Sequence, residues 1–427
     1  MINQEAVQAV AQAHFSGRFV RPLYDSYCFA RVPHTIESLL TGAATPGLPP
    51  AALAGLPERC ETVILIFLDA FGWRFFEPRA ERYPFLKRFL DDGVVSPLTT
   101  MFPSTTAAHV TTLNTGLPPA ASGVFEWFSY EPQLDAIIAP LLFSFAGDHG
   151  RETLSSVGAR PADLLPRGTL YDRLSMAGVR STIIQHRDYA GSSFTRTVCA
   201  GADVVPFRTM PEALTLLSQR LTNRPGPAYY YLYVDTIDAV SHVYGPDSAH
   251  VDAEIDTVLT SLDRLLHPAL QAAHGDVALL LVADHGQIGV DPETTIALNK
   301  VFPGLAHATR TSADGAPLVP AGSRRDMFLY IRDERLAEVH AGLTRALDGR
   351  AEVHRTADMI AAGMFGGDPS PSFLGRVGNL VVLPYAGESV WWEFAERGRF
   401  ESTYRGSHGG LTRDEAVTQL AALYYGG

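Results

Sequence analysis

Three aspartates, three histidines and a threonine stand where apolar runs end, and together they have the makings of a two-metal centre. Asp69 closes TVILIFLD, and Asp284 and His285 close ALLLLVADH. Asp238 and His242 follow the aromatic run AYYYLYVD and are four residues apart, so one helical turn puts both on one face. His408 lies in the glycine-flanked GSHGG, and Thr106 follows a Pro103-Ser104 turn at the head of TTAAHVTTLNTG. Gathered carboxylates repel one another unless cations offset them. The mixed Asp/His set suits two divalent ions, zinc first and manganese as an alternative. At a helix N-terminus the Thr106 hydroxyl would meet a field that favours negative charge; beside a metal it could lose its proton and attack phosphorus. Each piece also has a plain reading: Asp69 and Asp284 as loop caps, Thr106 as a helix cap, His408 as a surface histidine.

Elements able to position such a set alternate along the chain. TVILIFL, AYYYLYV and ALLLLV are short apolar runs of the kind buried on both faces of a parallel sheet. Residues 82–91, TLYDRLSMAG, PEALTLLSQRL and VDAEIDTVLTSLDRLLHPALQAA carry helical spacing between them. The pattern predicts an α/β fold: a mostly parallel central sheet with helices on both faces, and ligands at the C-terminal strand ends. Residues 1–60 read as a peripheral segment and 61–299 as the core. Residues 300–375 read as a smaller inserted α+β subdomain, with 376–427 returning to the core through NLVVLPYAG.

Composition excludes several classes. With 46 acidic against 34 basic residues and a net charge of −12, the chain is unsuited to binding a nucleic-acid polymer by phosphate neutralisation. The three cysteines form no CxxC and no disulfide framework, which fits a reducing compartment and a cytoplasmic protein. No run reaches 18 apolar residues, so no membrane association is expected. Nothing separates a monomer from a homodimer.

These residues resemble the alkaline phosphatase superfamily, in its nucleotide pyrophosphatase/phosphodiesterase branch and the related phosphonoacetate hydrolases. VILIFLDAFG is similar to the first metal-binding strand end, and FPSTTAAHVTTLNTGLPPAASG to the nucleophile segment ending TG-x-x-P-x-x-x-G. DTIDAVSHVYGP, ADHG and GSHGG resemble the later ligand elements, in the same order over residues 61–411. The resemblance implies one metal on Asp238, His242 and His408 and another on Asp69, Asp284 and His285. The resemblance further places the nucleophile ten residues before the glycine of the TG pair, Gly116, which is Thr106 rather than Thr105. It also implies a phosphoryl-binding asparagine three residues beyond the nucleophile, where this chain has His109, a catalytic candidate able to donate a hydrogen bond to an equatorial phosphoryl oxygen, or else a residue that packs on the helix. Ile237 and Ser241 replace the usual Pro and Gly without removing a ligand. No Cys/Ser-x-Pro-x-Arg pattern surrounds Thr106, which disfavours the sulfatase branch.

The reaction so implied is hydrolysis of a phosphodiester or pyrophosphate bond in a small substrate, such as a nucleotide, through a phosphothreonine. A phosphomonoesterase or phosphonate hydrolase with the same metals is the alternative; a non-catalytic scaffold is a more distant one. Arg74, five residues after Asp69, is the basic residue nearest in sequence, able to meet a phosphate or to form a surface ion pair. That thin basic complement favours diesters. Trp127 and Tyr130 in EWFSYEPQLDAIIAPLLFSF could stack on a ring of the substrate or fill a subdomain core.

Overall fold

In a computed structural model, residues 1–222, 226–273, 275–394, 400 and 403–426 are described. The main strands are β1 (Thr62–Leu68), β2 (Val94–Thr99), β3 (Arg180–His186), β4 (Asp203–Phe207), β5 (Ala228–Val234) and β6 (Val277–Val282). They continue with β7 (Met327–Leu329), β8 (Ala351–Arg355), β9 (Leu380–Pro384) and β10 (Val417–Tyr425). Seven make one sheet in the order β2-β10-β6-β1-β5-β3-β4. Within it β10 alone runs against its neighbours, pairing antiparallel with β2 and β6.

Every residue of β1, β5 and β6 is buried, as continuous apolar strands require when helices cover both faces. In register, Leu68 lies beside Val234 and Phe67 beside Val282. The residues that follow, Asp69, Asp235 and Asp284, therefore emerge at one edge. The antiparallel β10 enters the sheet where those parallel strands leave it, with Leu420 opposite Val282. The chain just before it, including His408, arrives at the same edge. Thr99 at the end of β2 faces Val417 at the start of β10, so the segment leading to Thr106 starts there too.

Residues 1–60 are not peripheral. Met1 and Asn3 pair with Val95 through backbone hydrogen bonds, and Tyr27 with Thr99, which closes the outer side of β2. Phe29, Val32, Ile36, Leu39 and Leu40 join the main core, where apolar side chains outweigh the proline-rich look of the segment.

NLVVLPYAG does not return to the core sheet either. It forms β9, the central strand of a separate antiparallel sheet ordered β7-β9-β8. Alternation decides its two faces: Leu380 and Val382 pack with Val339 and Leu343 of the helix Leu336–Ala346. Val381 and Leu383 instead join Phe102, Phe125 and Phe373. An apolar run that can be buried on both faces fits either sheet, and only pairing tells them apart. Among the described residues no helix is long and apolar enough to cross a membrane.

Candidate metal centre and nucleophile

Asp69 leaves β1 through a tight turn in which Ala70 takes φ 61°, a left-handed conformation uncommon for a residue with a side chain. The Ala70 amide donates to Asp284 Oδ1 at 3.0 Å, so the turns after β1 and β6 are tied together. Glycines let those turns touch. A Cβ on Gly72 would come within 2.7 Å of the Gly286 amide nitrogen, and one on Gly286 within 2.1 Å of the Asp414 carbonyl oxygen. Asp238 and His242 lie on helix α2 (Thr236–Tyr244), which starts directly beyond β5. His408 is held by the loop that bridges Ser104 to Gly409.

Nε2 of His285 lies 3.2 Å from Asp284 Oδ2 and 3.6 Å from Asp69 Oδ1. Nε2 of His242 lies 3.3 Å from Asp238 Oδ2, and Nε2 of His408 lies 3.7 Å from Asp238 Oδ1. The rings of His285 and His408 stack at 3.7 Å. Two ligand clusters result, Asp69-Asp284-His285 and Asp238-His285-His408, with His285 common to both and His242 beside Asp238.

All three imidazoles are oriented alike. Nδ1 of His242, His285 and His408 lies 2.8, 2.9 and 3.0 Å from the carbonyl oxygens of Gly406, Gly286 and Ser104. A carbonyl only accepts, so Nδ1 carries the proton and Nε2 turns its lone pair into the site, as metal-ligating histidines do. Burial lowers His285 to about 4 and, together with His285, lowers His408 to about 3, keeping both neutral and able to ligate. Burial raises Asp284 to about 6 and, with Asp284 and Asp238, raises Asp69 well above the carboxylate range. Burial opposes ionisation of Asp238 too, but His242 outweighs it and holds that carboxyl low. Asp69 Oδ1 and Asp284 Oδ2 are buried without a hydrogen-bond partner among the described residues. Orphaned carboxylate oxygens facing imidazole lone pairs fit divalent cations, whose charge reverses the direction of the carboxyl shifts.

Thr106 opens helix α1 (Thr106–Thr115), which Thr105 caps by accepting from the Ala107 amide at 3.3 Å. The cap and the candidate nucleophile are thus adjacent but different residues. Every residue of α1 after Thr106 is buried; Thr106 alone keeps part of its surface. Its Oγ1 lies 3.2 Å from His285 Nε2.

Three other expected residues are placed elsewhere. His109 accepts from the Met101 amide at 3.0 Å, and its Nδ1–H donates to the Thr105 carbonyl at 2.8 Å. Burial drives its pKa well below the ordinary value, so a neutral ring with both nitrogens occupied braces the nucleophile turn and has no proton for a phosphoryl oxygen. Arg74 donates to the Gln287 carbonyl at 2.6 Å and pairs with Asp247 at 2.5 Å, which commits its guanidinium to the loop behind the site. Tyr130 is buried against Tyr330 and donates to Asp135 at 2.7 Å, a subdomain contact. Trp127 does line the cavity beside Thr106, about 200 Å³ in volume, with Asp69, Arg151, Tyr189 and Asp238 also on its wall.

Two supporting residues escaped sequence reading. Tyr233 donates to Asp69 Oδ2, and Gln287 donates to Asp238 Oδ1 at 2.5 Å. Alternation in AYYYLYV and the position of Gln287 two residues beyond His285 were the available signals. Arg151 and Tyr189 come from segments with no such pattern.

Comparison with solved structures finds the same fold. Murine ectonucleotide pyrophosphatase/phosphodiesterase 5, as an inactive variant in complex with AMP, matches at 15% identity and TM-score 0.62, covering 85% of this chain and 88% of that one. The human ectonucleotide pyrophosphatase/phosphodiesterase 5 matches at 18% identity and TM-score 0.60, covering 84% and 87%. No curated protein sequence matches. The profile of one family, however, spans residues 63–411, from the strand that delivers Asp69 to the loop that holds His408. By that match the chain belongs to the type I phosphodiesterase/nucleotide pyrophosphatase family and is a hydrolase of that class.

Proposed function

We propose that the protein cleaves small phosphodiesters or pyrophosphates through a covalent phosphothreonine on Thr106. The observation that carries this reading is the placement of Thr106 as the one partly open position of a buried helix, 3.2 Å from His285 Nε2. Asp69, Asp284 and His285 would hold one divalent cation, and Asp238, His242 and His408 another. Zinc is favoured by the Asp/His set. Such ions supply charge that lowers the pKa of bound hydroxyls and offsets charge on the phosphoryl group.

The chain's own groups do the rest. Thr106 Oγ1, its proton lost to solvent, bonds to phosphorus, and the bond to the leaving oxygen breaks with its electron pair on that oxygen. Water then adds to phosphorus and returns a proton to Oγ1 as the threonine–phosphorus bond breaks. The N-terminus of α1 favours the negative charge that gathers there. Tyr233 and Gln287 hold Asp69 and Asp238 in place. Arg151 is the cationic side chain lining the cavity, a sparse basic complement that suits a diester better than a dianionic monoester. The aromatic walls at Trp127 and Tyr189 suit a nucleotide half, in keeping with the AMP held by the murine relative.

Thr106→Ala should lower turnover of bis-p-nitrophenyl phosphate by about 1,000-fold or more. His408→Ala should reduce bound metal from about two ions per chain toward one, read by elemental analysis. Retained hydrolysis in the first variant would sink the covalent route, and faster turnover of p-nitrophenyl phosphate by the parent enzyme would overturn the diester preference.

A further inference from the structure

Residues 100–105 join β2 to the nucleophile helix α1 and are all buried, yet they belong to no helix or ladder of strands. An irregular buried segment has to find a partner for each backbone amide separately. Thr100 donates to the Ala416 carbonyl at 3.0 Å, Met101 to His109 Nε2 at 3.0 Å and Ser104 to the Gly409 carbonyl at 3.1 Å. The Phe102 amide turns the other way. It donates to the phenol oxygen of Tyr24 at 3.2 Å. Tyr24 precedes residue 63, where the family profile begins, so this contact comes from outside the matched stretch.

The Tyr24 hydroxyl also donates to the Met364 carbonyl of the subdomain at 3.1 Å. A phenol oxygen both accepts and donates, so it serves an amide and a carbonyl at once; a phenylalanine serves neither. Tyr24 is itself held firmly. Arg31 Nε donates to its carbonyl at 2.7 Å, and Arg31 Nη1 to the Pro46 carbonyl at 2.7 Å. Gly366, at φ 69°, lies so close that a Cβ there would come within 2.4 Å of Tyr24 Cε1. The same subdomain loop, residues 363–367, reaches both ends of α1. Its Phe365 packs on the Phe102 ring at 5.2 Å before the helix, and its Phe365 carbonyl accepts from the Ala120 amide at 3.1 Å beyond it.

We propose that Tyr24 is a positioning residue for the nucleophile: its phenol clasps the turn that feeds α1 to the subdomain, and so sets where Thr106 Oγ1 stands. The proposal rests on Thr106 as the attacking group. Phe102 lies four residues before Thr106. Ser104, between them, supplies the carbonyl that orients His408. A shift of the turn therefore reaches the attacking oxygen and a metal ligand together. Attack demands close alignment, and a misplacement on the order of 1 Å costs up to about 100-fold in rate.

Tyr24→Phe keeps the ring and deletes the hydroxyl. In the metal-loaded enzyme, kcat for bis-p-nitrophenyl phosphate should fall by about 10-fold or more while KM stays within about 2-fold. Tyr27→Phe is the matched control, since the Tyr27 phenol accepts from Asn3 Nδ2 at 3.4 Å in the same N-terminal segment; it should keep the parent's kcat. A lowered urea midpoint with kcat unchanged in Tyr24→Phe would mark the hydroxyl as structural only and overturn the proposal. A second measurement does not depend on turnover. Amide hydrogen exchange across residues 100–106 should quicken by about 10-fold or more in Tyr24→Phe, with β5 and β6 as in the parent. Exchange equal to the parent's overturns the clasp. Retained hydrolysis in Thr106→Ala would remove the nucleophile and the proposal with it, a failure that the exchange rates keep apart from failure of the clasp.

Discussion

His109 shows how one residue type can serve chemistry or structure according to what its two nitrogens meet. His242, His285 and His408 each give one nitrogen to a carbonyl and keep the other for the site. His109 spends both on the backbone around Thr105, within a T-shaped contact to Phe29. His109→Leu should therefore leave the Met101 amide without a partner in the interior, while the Thr105 carbonyl keeps the backbone amide of residue 109. That costs about 1–3 kcal/mol, measurable as a fall in the urea midpoint with the slope unchanged. A variant as stable as the parent would contradict the bracing role. Asp69, Asp284 and His285 were legible in the sequence because they close apolar runs, Asp238 and His242 because they stand one helical turn apart, and His408, in a glycine-flanked loop, chiefly through the family resemblance. The role of His109 was not, because a helix position gives no hint of which backbone groups lie opposite it. The same limit applied to Arg74, whose partners Gln287 and Asp247 are more than 170 residues distant.

At the scale of elements, the centre depends on turns being able to approach one another as bare backbone. Gly72 lies against Gly286, Gly286 against Asp414, and Gly406 against the Ser241 carbonyl, where a Cβ would come within 2.2 Å. These contacts set the distance between Asp69 after β1, Asp284 after β6 and the helix that carries Asp238. Gly286→Ala would push the loop of residues 284–287 away from the start of β10 by the width of a methyl group. Metal affinity should weaken about 10- to 100-fold, as it does when groups that orient ligands are disturbed; competition with a chromogenic chelator would read it, and an unaltered affinity would show that the turns can give way. Strand alternation and apolar runs made β1, β5 and β6 readable. The assignment of β9 to a second sheet was not readable, because Leu380 to Leu383 satisfy either environment and pairing is a property of residues far apart in sequence.

Across the whole molecule, the segment 126–160, the subdomain and the core are joined by buried charge. Arg376 pairs with Glu131 at 2.6 Å, and Arg325, fully buried, pairs with Glu415 at 3.0 Å. Beside these balanced pairs, Glu126 and Asp326 face each other as two buried acids, with Glu126 Oε1 and Asp326 Oδ2 lacking partners among the described residues. Burial lifts Glu126 from 4.5 to about 7, and burial together with Glu126 lifts Asp326 well above its usual range. A carboxyl whose folded pKa lies above its unfolded one favours the fold while it is protonated. Its contribution is complete below about pH 4.5 and is lost as pH rises through about 7. The shift corresponds to on the order of 3 kcal/mol. Glu126→Gln keeps the shape and removes the ionisation. Its urea midpoint should exceed that of the parent at pH 8.5, and the difference should shrink or reverse at pH 5.5. A gap that stays constant between those two pH values would mean that Glu126 is not the group that titrates.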